Sequence, residues 1–338
     1  MPRITLWTGA SIPGVIRLAF PAKAIDRPAD VKVGSPGLRW NRAFEGPPPA
    51  DARVVGVAEH HADVVVVRAP HERWMLDGLV HLKRAGVRVV VDVDVLYDVG
   101  RGKVKGIEPG LEVHDEACRV ADLVTAATPE LVRHYGYGHG FVLPNLVPKS
   151  YLEIEPGECK KAIGWTGLLA AHPGDLEVTG GEVGRALVGR PDWDMGVLGE
   201  PKKSAGLVST ALGLLSEPVL DPFVDIRDYP YRMAEYGIGI VPLADTPFNA
   251  AKSALKMAQF AALGVPVVAS PSPDNSRLNA LGVGVLAADP HKWRRHLNRL
   301  VDSADARADL AGRGREVMAT QTYERHADRW WRAWTGWM

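Results

Sequence analysis

The apolar positions of this chain fall into short β-branched runs separated by stretches long enough for helices. Ile4 to Trp7, Val54 to Val57, Asp63 to Val67, Val87 to Val91, Leu123 to Ala126 and Phe141 to Leu143 form a first series. They are continuous runs rather than alternations of apolar and polar residues, as in strands covered on both faces within a parallel sheet. Trp74 to Ala85 and Glu116 to Ala121 supply helical stretches between some of them. Strand, helix, strand order predicts a doubly wound α/β sheet.

The series stops in a turn-rich passage with Pro144, Asn145, Pro148 and Pro156, then restarts. Strands are expected at Ala162 to Trp165, Met195 to Leu198, Ile238 to Val241 and Val265 to Ala269, with a weaker one at Gly282 to Leu286. Helices are expected at Tyr229 to Tyr236, Ser253 to Leu263 and His291 to Asp302. The pattern divides the chain into two α/β domains, 1–150 and 151–320, with a last helix in 321–338. Ligands of such sheets sit at the carboxyl ends of the strands, so a facing pair of domains makes a cleft lined by strand-to-helix loops.

Composition narrows the class. A length of 338 residues suits two domains, and 46% apolar residues with balanced charge exclude a disordered chain. Two cysteines cannot build a disulfide framework; Cys118 and Cys159 lack metal-ligand spacing and read as ordinary residues. Lys plus Arg and Asp plus Glu number 40 each, which gives no strong nucleic-acid signal. With no long apolar segment near the N-terminus or elsewhere, a cytoplasmic protein is expected.

Three loops carry candidate chemistry. In Phe248 to Ser270, a helix starting near Ser253 would combine a serine cap, free backbone N–H groups and the Lys252 cation, which is a phosphate cradle. Lys252, Lys256 and Gln259 would then share one face at i, i+4 and i+7; the plainer reading is an amphipathic helix with two solvated lysines. In Ile163-Gly-Trp-Thr-Gly167 to Asp175, Gly167 after a strand would let backbone approach a diphosphate, and His172 and Asp175 would stand near the next helix start, where His172 could donate to a ligand oxygen. Pro13-Gly14-Val-Ile-Arg17 places a comparable glycine, Gly14, after the first strand. Each of the last two also reads as an ordinary loop.

Taken in order, the glycine loop at Gly14, Ala121 to Leu131, Leu143-Pro144-Asn145, Gly164-Trp165-Thr166-Gly167 with His172 and Asp175, and Lys252-Ser253 through Gly264-Val-Pro266-Val-Val-Ala-Ser270 resemble the GT-B glycosyltransferases. They are most similar to the family 4 group of retaining enzymes, over nearly the whole chain. The resemblance implies a GT-B fold of two Rossmann-like domains. The second would bind a nucleoside-diphosphate-sugar, a UDP- or GDP-sugar, through Gly167, His172, Asp175, Lys252, Ser253, Lys256 and Gln259, with Gly14 of the first a further donor-binding candidate. The first would bind a hydroxyl acceptor. Retaining, metal-independent transfer with no tightly bound cofactor follows from the same resemblance.

The chain also departs from the family. Where the family commonly carries two glutamates eight positions apart, this sequence has Ala251 and Gln259. Gln259 can still hydrogen-bond a ribose hydroxyl, whereas Ala251 cannot contact a sugar in that way. The departure motivates an alternative, a nucleotide-sugar or glycan-binding protein without catalysis; a transferase acting on protein or modified DNA is a third reading.

Asp92-Val-Asp94 resembles the metal pair of the GT-A glycosyltransferases, but it lies on the expected acceptor side. Asp92 and Asp94 are therefore candidates for acceptor positioning or acid–base work, or for capping, ahead of metal binding. Among His60, His61, His71 and His114, His71 is the candidate for contact with the transferred sugar. The Trp-rich tail, with Trp330, Trp334 and Trp337 on one helical face beside Arg325, Arg329 and Arg332, suits either packing of a terminal helix onto the first domain or peripheral membrane contact. Oligomeric state is not legible.

Overall fold

Valine runs dominate the first sheet because a parallel strand covered on both faces has no polar side to present. The computed structural model describes residues 3–7, 15–25, 30–34, 62–97, 110–155, 160–222 and 224–336. Gly14, the expected strand Val54 to Val57, His60, His61, Cys159 and Trp337 lie outside the described residues. The chain divides into two units. The first is Met1–Asn145 with Ala251–Ser253 and Tyr323–Met338; the second is Leu146–Ala250 with Ala254–Thr322.

The first unit holds β1 (Arg3–Trp7), β2 (Asp30–Gly34), β3 (Val64–Arg68), β4 (Arg88–Val93), β5 (Leu123–Ala126) and β6 (Gly140–Val142) in the order β2-β1-β3-β4-β5-β6. Every pairing is parallel. The valines of β3 and β4 are buried, and each such side chain contributes about 1.5–3 kcal/mol relative to exposure. Helix Arg73–Arg84 buries Met75, Leu76, Leu79 and Leu82 at three- and four-residue spacing, and its last turn gathers His81, Lys83 and Arg84 where the helix dipole favours cations.

Helix Tyr323–Thr335 belongs to this unit and packs on helix Phe20–Ala24. Arg88 anchors its end, donating from Nε to the Trp334 carbonyl at 3.0 Å and from Nη2 to that of Ala333 at 3.3 Å. Trp330, Trp331 and Trp334 are buried. Of the two readings of the aromatic face, the burial of the described indoles favours packing of the terminal helix. Among the described residues no helix is long and apolar enough to cross a membrane.

The second unit holds β7 (Lys160–Thr166), β8 (Asp194–Leu198), β9 (Val219–Asp221), β10 (Tyr236–Val241), β11 (Val267–Ala269) and β12 (Val285–Leu286) in the order β12-β11-β10-β7-β8-β9. All pairings are parallel, and the order reverses between β7 and β10. That reversal is the switch point at which α/β sheets bind ligands. Gly164 and Gly196 face the Tyr236 ring so closely that a Cβ would lie 2.2 Å and 2.4 Å from it, so glycine admits a large aromatic to the middle of the sheet.

Two strands were not expected. β2 and β9 are short edge strands, and Asp30, Lys32 and Asp221 break their apolar pattern. β11 begins at Val267 rather than Val265 because Pro266 has no N–H for the ladder; its carbonyl accepts instead from Gly239 N at 2.9 Å.

Candidate functional site

In the second unit the chemistry-bearing residues gather at the carboxyl ends of β7 and β10, on either side of the switch point. Gly167 follows β7 with φ +152°, a conformation that L side chains rarely adopt. A Cβ there would lie 3.0 Å from Lys256 Nζ, 3.0 Å from the Trp165 ring and 3.1 Å from the His172 ring. Glycine is thus what lets backbone and these side chains converge.

Lys256 is carried by helix Leu255–Ala262 and donates from Nζ to the Thr166 carbonyl. Its Nζ also lies 3.1 Å from His172 Nε2 and 5.4 Å from the centre of the Trp165 ring. His172 Nδ1 is 2.8 Å from Asp175 Oδ2, and the imidazole meets Trp165 edge-on at 5.5 Å. Asp175 is 1% exposed, and its Oδ1 accepts from Ala244 N at 2.8 Å and from Asn249 Nδ2 at 2.6 Å. An ionised carboxylate only accepts, so Nδ1 carries the imidazole proton and Nε2 is left as an acceptor toward the lysine ammonium.

Between these two side chains Lys256 is the donor and His172 the acceptor. Beside the cluster is a cavity of about 610 Å³ lined by Leu169, His172, Gly174, Glu177, Leu207 and Thr210. Glu200 Oε2 accepts from Leu169 N at 2.8 Å and holds the loop that forms its rim.

The expected serine cap is corrected. The helix starts at Leu255, its cap residue is Ala254, and the Ala254 N–H is taken by Asp274 Oδ2 at 2.7 Å. Lys252 precedes the helix, so Lys252, Lys256 and Gln259 do not form one helical face. Lys256 is half-buried and Gln259 is 3% exposed. Ala251–Ser253 belong to the first unit, where the Ala251 carbonyl accepts from Thr128 Oγ1 at 2.9 Å and Ser253 Oγ accepts from Asn145 Nδ2 at 2.7 Å.

In the first unit Asp92 and Asp94 sit at the end of β4, two residues apart and on one face of the strand. Asp92 is 1% exposed and forms a two-pronged pair with Arg17, Nε to Oδ2 at 2.9 Å and Nη2 to Oδ1 at 2.5 Å. Thr125 Oγ1 donates to Oδ1 at 2.6 Å. Arg17 Nη1 continues to the Leu143 carbonyl at 2.5 Å and Asn145 Oδ1 at 3.1 Å. Asp92 is thereby committed to holding the ends of β4 and β6.

Asp94 receives Arg68 Nη2 at 3.0 and 2.8 Å and Tyr97 OH at 3.0 Å. Burial pushes its carboxyl upward, but the Arg68 guanidinium and the bonds from Arg68 and Tyr97 outweigh that and hold it below the usual carboxylate range. It remains ionised at neutral pH. His71 is exposed, with Nδ1 2.8 Å from the Ala69 carbonyl, and Ala69 adopts φ +49° at the turn out of β3. Among the described residues no group of three His, Cys, Asp or Glu is placed to hold a metal ion.

Sequence reasoning missed Arg17, Arg68 and Asn249. An arginine or aspartate inside an apolar run must find a partner when buried, and Arg17 and Asp92 each stand in such a run. That signal announces a pair without saying which carboxylate meets which arginine. Asn249 offered none, since its role depends on the separate loops that bring it to Asp175.

No protein-family model matches the chain, and no curated protein matches it. Solved structures do. Anabaena Alr3699/HepE in complex with UDP-glucose superposes with TM-score 0.67 at 15% identity, covering 98% of this chain and 99% of that one. OtsA in its apo form gives TM-score 0.60 at 13% identity, with 98% of each chain covered. The UDP co-structure of S. aureus MnaA gives TM-score 0.56 at 13% identity over 98% of this chain and 95% of that one. At these identities the likeness carries the fold. Two parallel six-stranded sheets and these likenesses together establish that the chain has the GT-B fold, built from two Rossmann-like α/β units.

Proposed function

We propose that this protein is a glycosyltransferase of the family 4 type, moving a sugar from a nucleoside-diphosphate-sugar to a hydroxyl acceptor with retention and without a metal. The observation that carries the reading is the convergence of Gly167, Lys256 and the His172–Asp175 pair at the switch point of the second sheet. A glycine that lets backbone come close, beside a fixed ammonium, suits a diphosphate. The Anabaena neighbour bound to UDP-glucose and the S. aureus neighbour bound to UDP support a uridine nucleotide as the first donor to test.

In this reading Lys256 offsets the charge that develops on the leaving diphosphate. Gln259 takes a ribose hydroxyl. The first unit takes the acceptor: Asp94, held ionised, accepts from its hydroxyl, and His71 Nε2 contacts the transferred sugar. Asp92 serves by holding Arg17 in place.

The test is release of nucleoside diphosphate from UDP-glucose, UDP-N-acetylglucosamine and GDP-mannose over a panel of hydroxyl acceptors, with and without a chelator. The reading expects acceptor-dependent release, an α-linked product from an α-linked donor and no loss with chelator. Diphosphate binding without turnover on any acceptor would favour the non-catalytic reading that Ala251 motivates.

A further inference from the structure

We propose that His172 takes up a proton when a nucleoside diphosphate binds. The ligand would then meet a cationic imidazolium–ammonium pair, in which Lys256 has turned from His172 Nε2 to a phosphate oxygen. This deepens the proposed function and rests on it for the location of the diphosphate.

The argument starts from the fixed side of the imidazole. Asp175 is buried and held through its other oxygen by Ala244 N and Asn249 Nδ2, so it faces His172 Nδ1 as a permanent acceptor. Asn249 is held in turn by donating to the Ala244 carbonyl at 2.9 Å. Nδ1–H is therefore present in both protonation states, and only Nε2 gains or loses a proton.

Two charges compete at Nε2. Asp175 favours an imidazolium, while the Lys256 ammonium at 3.1 Å opposes it and donates to the bare nitrogen instead. Charged groups of both signs stand on the surrounding elements: Arg185 donates to the carbonyl of Gly180, which lines the same cavity, and Lys202 and Lys203 precede helix Ala205–Leu212. Glu177 lines the same cavity, Glu200 holds the Leu169 amide of the same loop, and Asp245 is exposed next to Ala244. Lys256 is the cation in hydrogen-bond contact with Nε2, and from there it holds the proton off.

A diphosphate beside Gly167 reverses the balance. Its oxygens give the ammonium a stronger acceptor than imidazole, and its negative charge removes the penalty on a second cation. The proton comes from solvent and ends on Nε2, and no bond of the nucleotide is made or broken in this step. The consequence for turnover is a second positive charge at the leaving group, present only while nucleotide is bound.

Calorimetric titration of the full chain with UDP, and in parallel with GDP, at pH 7.5 in two buffers of widely different ionisation enthalpy tests this. The nucleotide phosphate ionises near pH 6, so it is not itself a large source or sink of protons at that pH. The expected result is uptake of about half a proton or more per nucleotide bound, which requires the imidazole to be largely neutral in the free protein and at least half protonated in the complex at pH 7.5. The uptake should vanish in His172→Gln and fall in Asp175→Asn. Binding with no buffer dependence, or uptake persisting in His172→Gln, overturns the proposal while leaving the proposed function standing. Absence of binding by any nucleoside diphosphate overturns both. Should His172→Gln fail to bind, imidazole ¹⁵N shifts of the wild-type protein decide: a neutral Nδ1–H tautomer free and an imidazolium with UDP support the proposal, and a neutral ring in both states refutes it.

Discussion

Lys256 Nζ lies 3.1 Å from His172 Nε2, and the two side chains come from loops on opposite sides of the switch between β7 and β10. Helix Leu255–Ala262 supplies the lysine and the turn after Gly167 supplies the histidine, so the pair reports whether both loops are correctly placed. A ligand there meets a lysine ammonium that is already in place.

Gly167→Ala should damage this pair by crowding it, with neither side chain altered. The added methyl would stand 3.0 Å from Nζ and 3.1 Å from the imidazole, at a φ that disfavours any side chain. The strain costs about 1–3 kcal/mol. We expect a melting midpoint lower by a few degrees and diphosphate affinity reduced roughly tenfold, measured by calorimetry. Wild-type affinity in this variant would show that the loop does not touch the phosphates.

Asp92→Asn should cost stability rather than nucleotide binding. It leaves the Arg17 guanidinium buried without its carboxylate, a loss of about 3–5 kcal/mol. Replacing both partners with apolar residues, Arg17→Met with Asp92→Leu, should recover much of that loss, since the buried cation leaves with the carboxylate. Chemical denaturation of the three proteins checks the order, and UDP affinity should be the same in those that fold.

Asp94→Asn should lower turnover while leaving donor affinity unchanged. The substitution keeps the shape but removes the ionised acceptor that Arg68 and Tyr97 hold in place. Steady-state kinetics beside a UDP titration separate the two effects. A parallel loss of donor binding would move Asp94 to the donor site.

His114 predicts an acid-sensitive first unit. It is 3% exposed, set edge-on to the Tyr97 and Tyr135 rings at 4.8 and 5.1 Å. Burial pushes its pKa down from the ordinary 6.5 to about 4, against smaller upward pulls from the Pro70 backbone and Asp94. Between those values the unfolded chain binds a proton that the folded one refuses. Its contribution is therefore whole above about pH 6.5 and is lost as pH falls toward 4, by about 3 kcal/mol in all. His114→Gln should flatten stability against pH in that window, as followed by denaturant midpoints at pH 7 and 4.5.

Much of the fold was legible because buried parallel strands write themselves as valine runs. Val64 to Val67 and Val89 to Val91 are apolar at every position and lie where the runs place them. The edge strands β2 and β9 were not legible, since an edge needs few apolar residues and carries charge. Within the candidate site, Gly167, His172, Asp175 and Lys256 were readable as residues near strand ends. Their mutual geometry was not, because it depends on separate loops meeting in space. The serine cap at Ser253 misled for the same reason: Asp274, distant in sequence, takes the Ala254 amide and moves the helix start.

The decisive measurement is thermal stability against UDP, GDP, ADP, CDP and dTDP, with and without magnesium, for the wild type and Lys256→Ala. A ligand at about 100 times its dissociation constant adds about 2.7 kcal/mol, enough to raise a melting midpoint by a few degrees. A diphosphate site at Gly167 and Lys256 predicts a shift with one diphosphate, unaffected by magnesium and largely lost in Lys256→Ala. No shift with any of the five, or a shift of equal size in Lys256→Ala, would contradict it.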